Sequence, residues 1–189
     1  LGYLAGYRYA HEATQDPLFA EFLLGYMEQE ATPSLDPVPG VDLAAYRAQL
    51  IERFANPYVA DTLARLCTDS SDRIPKFLVP VIQYQIEHGG PLHRSALVVA
   101  AWARYAEGVD ELGEPIGVVD QRKAAVMARA QHNVNDPLAF LADESLFGAV
   151  GQDPRFAALY TAAVRALHAD GARATLEQWS DIAADGLST

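Results

Sequence analysis

Cysteine is nearly missing from this chain. Cys67 is the only one in 189 residues, so no internal disulfide can form. Long apolar runs are missing too: none approaches the ~20 residues that span a bilayer. The N-terminal residues have neither the basic region nor the unbroken apolar region of a signal peptide. Positive charge is scarce, with 14 Lys and Arg against 25 Asp and Glu and a net charge of −11. No Lys/Arg run offsets that balance, which excludes nucleic acid, anionic lipid and acidic partners in general as expected ligands. Strand signals are the last scarcity. The one candidate, VDELGEPIGVVD at 109–120, is rich in turn residues and reads as a loop. What remains is an acidic globular protein, expected to be cytoplasmic and long enough to bury a core in one domain, 1–189.

Catalytic and cofactor signatures are equally thin. There is no G-x-G-x-x-G after a strand, no P-loop and no G-x-S-x-G. His11-Glu12 begins like a zinc-protease helix, but Gln15 stands where the second histidine must be. His88 and His93 straddle a Gly-Gly-Pro break without an acidic or cysteine companion at ligand spacing, and read as helix C-terminal cations or surface residues. His132 and His168 read likewise as helix-end residues. Asp143 and Glu144, adjacent on a helix, diverge and read as solvated surface. Cys67 falls on an apolar stripe and reads as a small buried hydrophobe. No metal site is expected.

Helix punctuation, by contrast, is plentiful. Asp16-Pro17, Asn56-Pro57, Asp136-Pro137 and Asp153-Pro154 each place an N-cap before a proline at the first helical position. Helices are predicted at 17–31, 42–55, 57–68, 75–88, 91–107, 121–132, 136–142, 154–170 and 172–184. The opening LGYLAGYRYAHEA follows helical spacing without a capping residue, so the chain is expected to enter part-way through a helix, with more protein upstream. Within 75–88, Phe77, Leu78, Val79, Val81, Ile82 and Tyr84 leave almost no polar face, which predicts a covered, central helix. The expected fold is all-α, a multi-helix array around that helix.

Charge gathers beside this segment, in the stretch RFANPYVADTLARLCTDSSDRIPKFLVPVI at 53–82. Arg65 lies off the apolar stripe of Val59, Leu63, Leu66 and Cys67. It reads either as an i,i+4 partner of Asp61 or as a donor lining a cleft. Arg73 reads either as a partner of Asp69 or Asp72 or as a second such donor. Lys76 is retained by its position beside them. The residues alone leave these alternatives open.

The same stretch resembles the C-terminal domain of the polyol-specific long-chain dehydrogenases, the mannitol dehydrogenase family. LGYLAGYRYAHEA, the P-x-P-G-x-D-L-x-x-Y run from Pro37 to Tyr46, and ALVVAAWARY with the GVDELGEP loop extend the likeness over nearly the whole chain. The resemblance implies a helical domain of the 6-phosphogluconate dehydrogenase C-terminal type, following an N-terminal Rossmann domain that binds NAD or NADP. It implies hydride transfer between a sugar alcohol and a ketose, with a lysine general base and no metal. In that family the lysine lies on the helix leading into the sequence matched here by Leu1-Gly2, so no catalytic base is expected within this chain. Arg65 matches a substrate-contacting arginine of the family. Arg73 matches a basic residue, lysine in the mannitol enzymes, that also reaches substrate. A reductase of hexuronates is the alternative within the family, and a helical ligand-sensing or interaction module the alternative outside it.

Overall fold

Three of the four Asp/Asn-Pro signals supply a side-chain cap, Asp16 and Asp153 to α-helices and Asn56 to a single 3-10 turn: Leu18, Phe156 and Tyr58 donate their backbone N–H to Asp16, Asp153 and Asn56. These caps belong to a computed structural model that describes residues 1–37 and 39–185, with side chains inside the last helix described through Trp179. Val38, in the predicted 34–42 connector, lies outside the described residues. The α-helices are α1 (Ala10–Gln15), α2 (Pro17–Gly25), α3 (Leu43–Phe54), α4 (Leu63–Leu66), α5 (Ser70–Arg73), α6 (Val79–His88), α7 (His93–Tyr105), α8 (Lys123–Ala130), α9 (Leu138–Leu141), α10 (Glu144–Phe147) and α11 (Pro154–Asp185). Among the described residues, β pairing is limited to two isolated bridges, Tyr9–Thr62 and Val109–Pro115. The fold is all-α, and residues 109–120 form the predicted loop.

The centre of the array is α7, a correction to the sequence expectation. Ala96, Leu97, Val99, Ala100 and Ala103 are all fully buried there, against Ala163, Val164, Ala172 and Leu176 of α11 in the same core. Small residues let these helices approach closely, and the Trp179 indole N–H donates to the His93 carbonyl across the contact, 3.1 Å. Trp102, Phe140 and Phe147 fill the space beside them with edge-on and tilted ring contacts. The 75–88 segment instead covers one side. Ile74–Leu78 is a π-helical turn ahead of Pro80, whose missing N–H and bulky ring a regular helix cannot absorb. That turn rotates Phe77 outward to 70 % exposure and buries only Leu78, Val81, Ile82 and Gln85 of the apolar set and its neighbours.

Other boundaries move for identifiable reasons. The helical reading of residues 1–13 holds for one turn: Gly6, at φ 87, closes it with Gly6 N–H to Tyr3 O and Tyr7 N–H to Gly2 O. The helix containing Arg73 starts at Ser70 rather than Pro75. Asp120, distant in sequence, caps it by accepting from the Ser71 N–H at 2.9 Å and hydroxyl at 2.5 Å. The start of α7 is likewise capped from afar. Buried Glu30 accepts from Arg94 N–H, Ser95 N–H and the Ser95 hydroxyl at 2.8, 2.8 and 2.5 Å, and burial pushes its carboxyl up from the ordinary 4.5. At the other end, Gly171 (φ 79) separates the two predicted halves of α11, and Glu111 caps the second through Ala172 N–H.

The histidine readings divide. His88 ends α6, stacked on Tyr84 and hydrogen-bonded to its carbonyl. His93 begins α7 rather than ending a helix, whereas His168 sits near the end of the first half of α11 as predicted and pairs with Glu107 at 3.0 Å. Asp143 is buried rather than a surface residue, held by Arg122 and Arg129.

Candidate functional site

The predicted 57–68 helix is broken, and the break builds the site. Pro57–Val59 make one 3-10 turn, and Ala60 then enters the left-handed region at φ 49. The chain extends through Asp61 and Thr62 alongside the N-terminal segment: Ala10 N–H donates to Asp61 O and Leu63 N–H to Arg8 O, each 2.9 Å. Val59 is consequently exposed and drops off the predicted apolar stripe, while Leu63 and Cys67 pack half-buried against the core. Burial pushes the Cys67 thiol up, which keeps it protonated.

Thr62 caps α4, its hydroxyl accepting from Arg65 N–H at 3.3 Å. One turn after Asp61, Arg65 then lies over that carboxylate. Its Nε donates to Asp61 Oδ1 at 2.5 Å and its Nη2 to Oδ2, a two-pronged pair. Arg65's hydrogen bonds hold the Asp61 carboxyl below the ordinary 3.8 against the opposing effect of burial, with Arg65's charge, the Thr62 backbone N–H and Arg73's charge adding to them. The Asp61 side chain is 22 % exposed and the Arg65 side chain 61 %, so the outer edge of the guanidinium faces open space.

Arg73 closes α5 and donates from Nη1 to the carbonyl of Leu66, the residue after Arg65, at 3.2 Å. The carboxylates predicted as its partners are engaged elsewhere: Asp69 accepts from Gln121 N–H, and Asp72 pairs with Lys76 at 3.3 Å. Arg73 thus reaches the backbone one residue beyond Arg65, and the charges of both arginines act on Asp61. Lys76 stands a turn further on, tied to Asp72 in an exposed pair.

Two cavities beside Asp61 and Leu66 border this stretch, and neither is lined by Arg65, Arg73 or Lys76. One, of about 250 Å³, is apolar and lined by Phe19, Phe22, Phe54, Leu63, Leu66 and Val98 among others. The other, of about 220 Å³, is more polar and brings His11, Arg53, Asn56 and Asp61 together. His11 Nδ1 is buried there without a hydrogen-bond partner. Among the described residues, no group of three or more His, Cys, Asp or Glu is placed to hold a metal ion, and no helix is long and apolar enough to cross a membrane. Nor do they include the strand and glycine-rich turn that cradle a dinucleotide pyrophosphate. These residues therefore do not fit that cofactor by that means.

Residues 1–168 match the family described as the mannitol dehydrogenase C-terminal domain. The chain belongs to that family. Mannitol 2-dehydrogenase of Neosartorya fischeri is 40 % identical over 181 residues, which are 95 % of this chain and 36 % of that protein. Mannitol 2-dehydrogenase of Aspergillus fumigatus is 41 % identical over 179 residues, 94 % of this chain and 36 % of that one. The solved Pseudomonas fluorescens mannitol 2-dehydrogenase ternary complex with NAD and D-mannitol superposes with a TM-score of 0.92 at 40 % identity, covering 96 % of this chain and 37 % of that one. A D-sorbitol dehydrogenase solved in substrate-free form shares the fold, with a TM-score of 0.80 at 22 % identity over 93 % of this chain and 36 % of that one. The chain thus spans little more than a third of the relatives it matches.

Within this mannitol dehydrogenase C-terminal domain, spacing alone revealed the Asp61–Arg65 pair. The neighbour His11 reaches the same turn through the Tyr9–Thr62 bridge, a non-local pairing that no local motif announces.

Proposed function

We propose that this chain is the substrate-binding part of an NAD-dependent, cytoplasmic polyol dehydrogenase that interconverts a sugar alcohol and a ketose. The observation that carries this reading is the superposition, over nearly the whole chain, on a mannitol 2-dehydrogenase solved with NAD and D-mannitol. In such an enzyme NAD would supply the hydride acceptor for the carbinol carbon, and a lysine of the kind the family resemblance implies would take the hydroxyl proton. The residues of this chain bind and orient. A guanidinium carries five N–H donors in a fixed plane. Asp61 takes donors from the inner edge of Arg65, which leaves the outer edge for the oxygens of a polyhydroxylated chain. Arg73, one donor of which goes to the Leu66 carbonyl, adds further donors nearby. Fixing hydroxyls away from the reacting carbon holds its C–H in attack geometry, where most of the positional entropy of the reaction is lost before chemistry. Phe54, Leu63 and Leu66, around the apolar cavity, give the rest of the enzyme a surface to pack against.

In the intact enzyme, Arg65→Ala should lower kcat/KM for D-mannitol by more than about tenfold, the cost of a lost charged hydrogen-bond donor. Arg73→Ala should act in the same direction. A change below about threefold for Arg65→Ala would return that residue to a surface ion pair without a substrate role.

A further inference from the structure

We infer that Asp61 is a positioning and specificity-determining residue: it fixes the plane of Arg65 and occupies the guanidinium edge that would otherwise take a substrate carboxylate. This inference rests on the polyol dehydrogenase reading above and adds to it the choice between neutral and acidic sugars.

The geometry has two parts. Asp61 is itself anchored, since its carbonyl accepts from Ala10 N–H at 2.9 Å and its neighbour Leu63 donates to Arg8 O. Its carboxylate therefore stands still relative to α1 while Arg65 rises from the single turn of α4. A long arginine side chain that is 61 % exposed would otherwise sample many rotamers. The two-pronged contact through Nε and Nη2 selects one of them and aims the remaining N–H groups outward.

The second part is charge. Arg65 and Arg73 alone would present two adjacent positive charges and an open Nε/Nη2 fork, a ready receptor for a carboxylate. With Asp61 in place the fork is filled, and the summed charge of Arg65, Arg73 and Asp61 is one positive unit rather than two. A neutral polyol needs donors and no net charge, so it loses nothing. A sugar whose end carbon is a carboxylate meets an anion already seated where it would bind, and must displace or face it. Discrimination by an opposing charge of this kind is effective even where the attractive contacts are shared.

The test uses the intact enzyme with D-mannitol and NAD in one direction, and D-fructose or D-fructuronate with NADH in the other. For Asp61→Asn, KM for D-mannitol should rise about tenfold with kcat within about threefold. The ratio of kcat/KM for D-fructuronate to that for D-fructose should rise at least about tenfold. Asp61→Glu, which keeps the charge, should restore the ratio towards the parent value. A ratio within about twofold of the parent enzyme in Asp61→Asn overturns the inference. Arg65→Ala separates the two claims. If it weakens mannitol turnover while Asp61→Asn leaves the ratio unmoved, only the role of Asp61 falls. If Arg65→Ala has no effect, the substrate role of Arg65 falls, and the role of Asp61 with it.

Discussion

Ala60 holds a left-handed backbone conformation, φ 49 and ψ 32, that crowds its Cβ against the following carbonyl at a cost of about 1–2 kcal/mol. The position is nevertheless what turns the chain from the Pro57–Val59 turn into the extended pair that presents Asp61 and Arg65. Glycine adopts the same conformation without that crowding, partly offset by its greater unfolded-state freedom. Ala60→Gly should therefore raise the melting temperature by about 2 °C. A fall on melting would show that the methyl group packs usefully. Asp143 supplies a pH-dependent contact. Burial raises its carboxyl, but the Ser145 hydrogen bonds and the Arg122 and Arg129 charges outweigh burial and hold it below the ordinary 3.8. The unfolded chain then binds the proton more readily, so the contribution of Asp143 is fully present above about pH 3.8 and is lost as pH falls through the lower folded-state value. Compared by urea unfolding, the parent should exceed Asp143→Asn in stability at pH 6, with the gap closing as pH drops below 4. A gap that widens on acidification would reverse the assigned direction.

Helices in this fold start in two ways, and only one of them is written locally. Asp16, Asn56 and Asp153 cap the next few residues, and Gly89 ends α6 at φ 67 as the Gly89-Gly90 pair indicates. Those boundaries were legible because cap and helix are sequence neighbours. The start at Ser70 is capped by Asp120, 49 residues away, and nothing nearby in the sequence marks it, whereas α7 begins within two residues of the predicted Pro91 although its cap, Glu30, lies 64–65 residues away. The same distinction explains the misplaced centre. Apolar content suggested 75–88, but the π turn ahead of Pro80 changed which side chains face inward, and the alanine-rich α7 packed more closely than its composition advertised. In the site, Asp61 and Arg65 were readable at i,i+4, whereas the break at Ala60 and the approach of His11 depend on the bridge to the N-terminal segment. Glu30 offers the element-scale test. Removing its carboxylate in Glu30→Ala leaves the Arg94 and Ser95 N–H groups buried without acceptors, which should cost about 2–4 kcal/mol in urea unfolding. A loss below about 0.5 kcal/mol would mean that water or another group caps α7 as well.

At the scale of the molecule, this chain accounts for 31–37 % of the mannitol 2-dehydrogenases it matches. It offers donors and an apolar surface but neither a dinucleotide cradle nor a base aligned with one among its described residues. A purified sample of residues 1–189 should accordingly fail to oxidise D-mannitol with NAD, while the proposed intact enzyme should do so. Turnover by those residues alone would require a catalytic set that the Arg65–Arg73 turn does not contain. The most direct measurement of the account is a crystal structure of the intact enzyme with D-mannitol bound. It should show nitrogens of both Arg65 and Arg73 within about 3.2 Å of polyol oxygens, with Asp61 still on the inner edge of Arg65. The account is contradicted if D-mannitol sits where neither guanidinium reaches it and both side chains point into solvent.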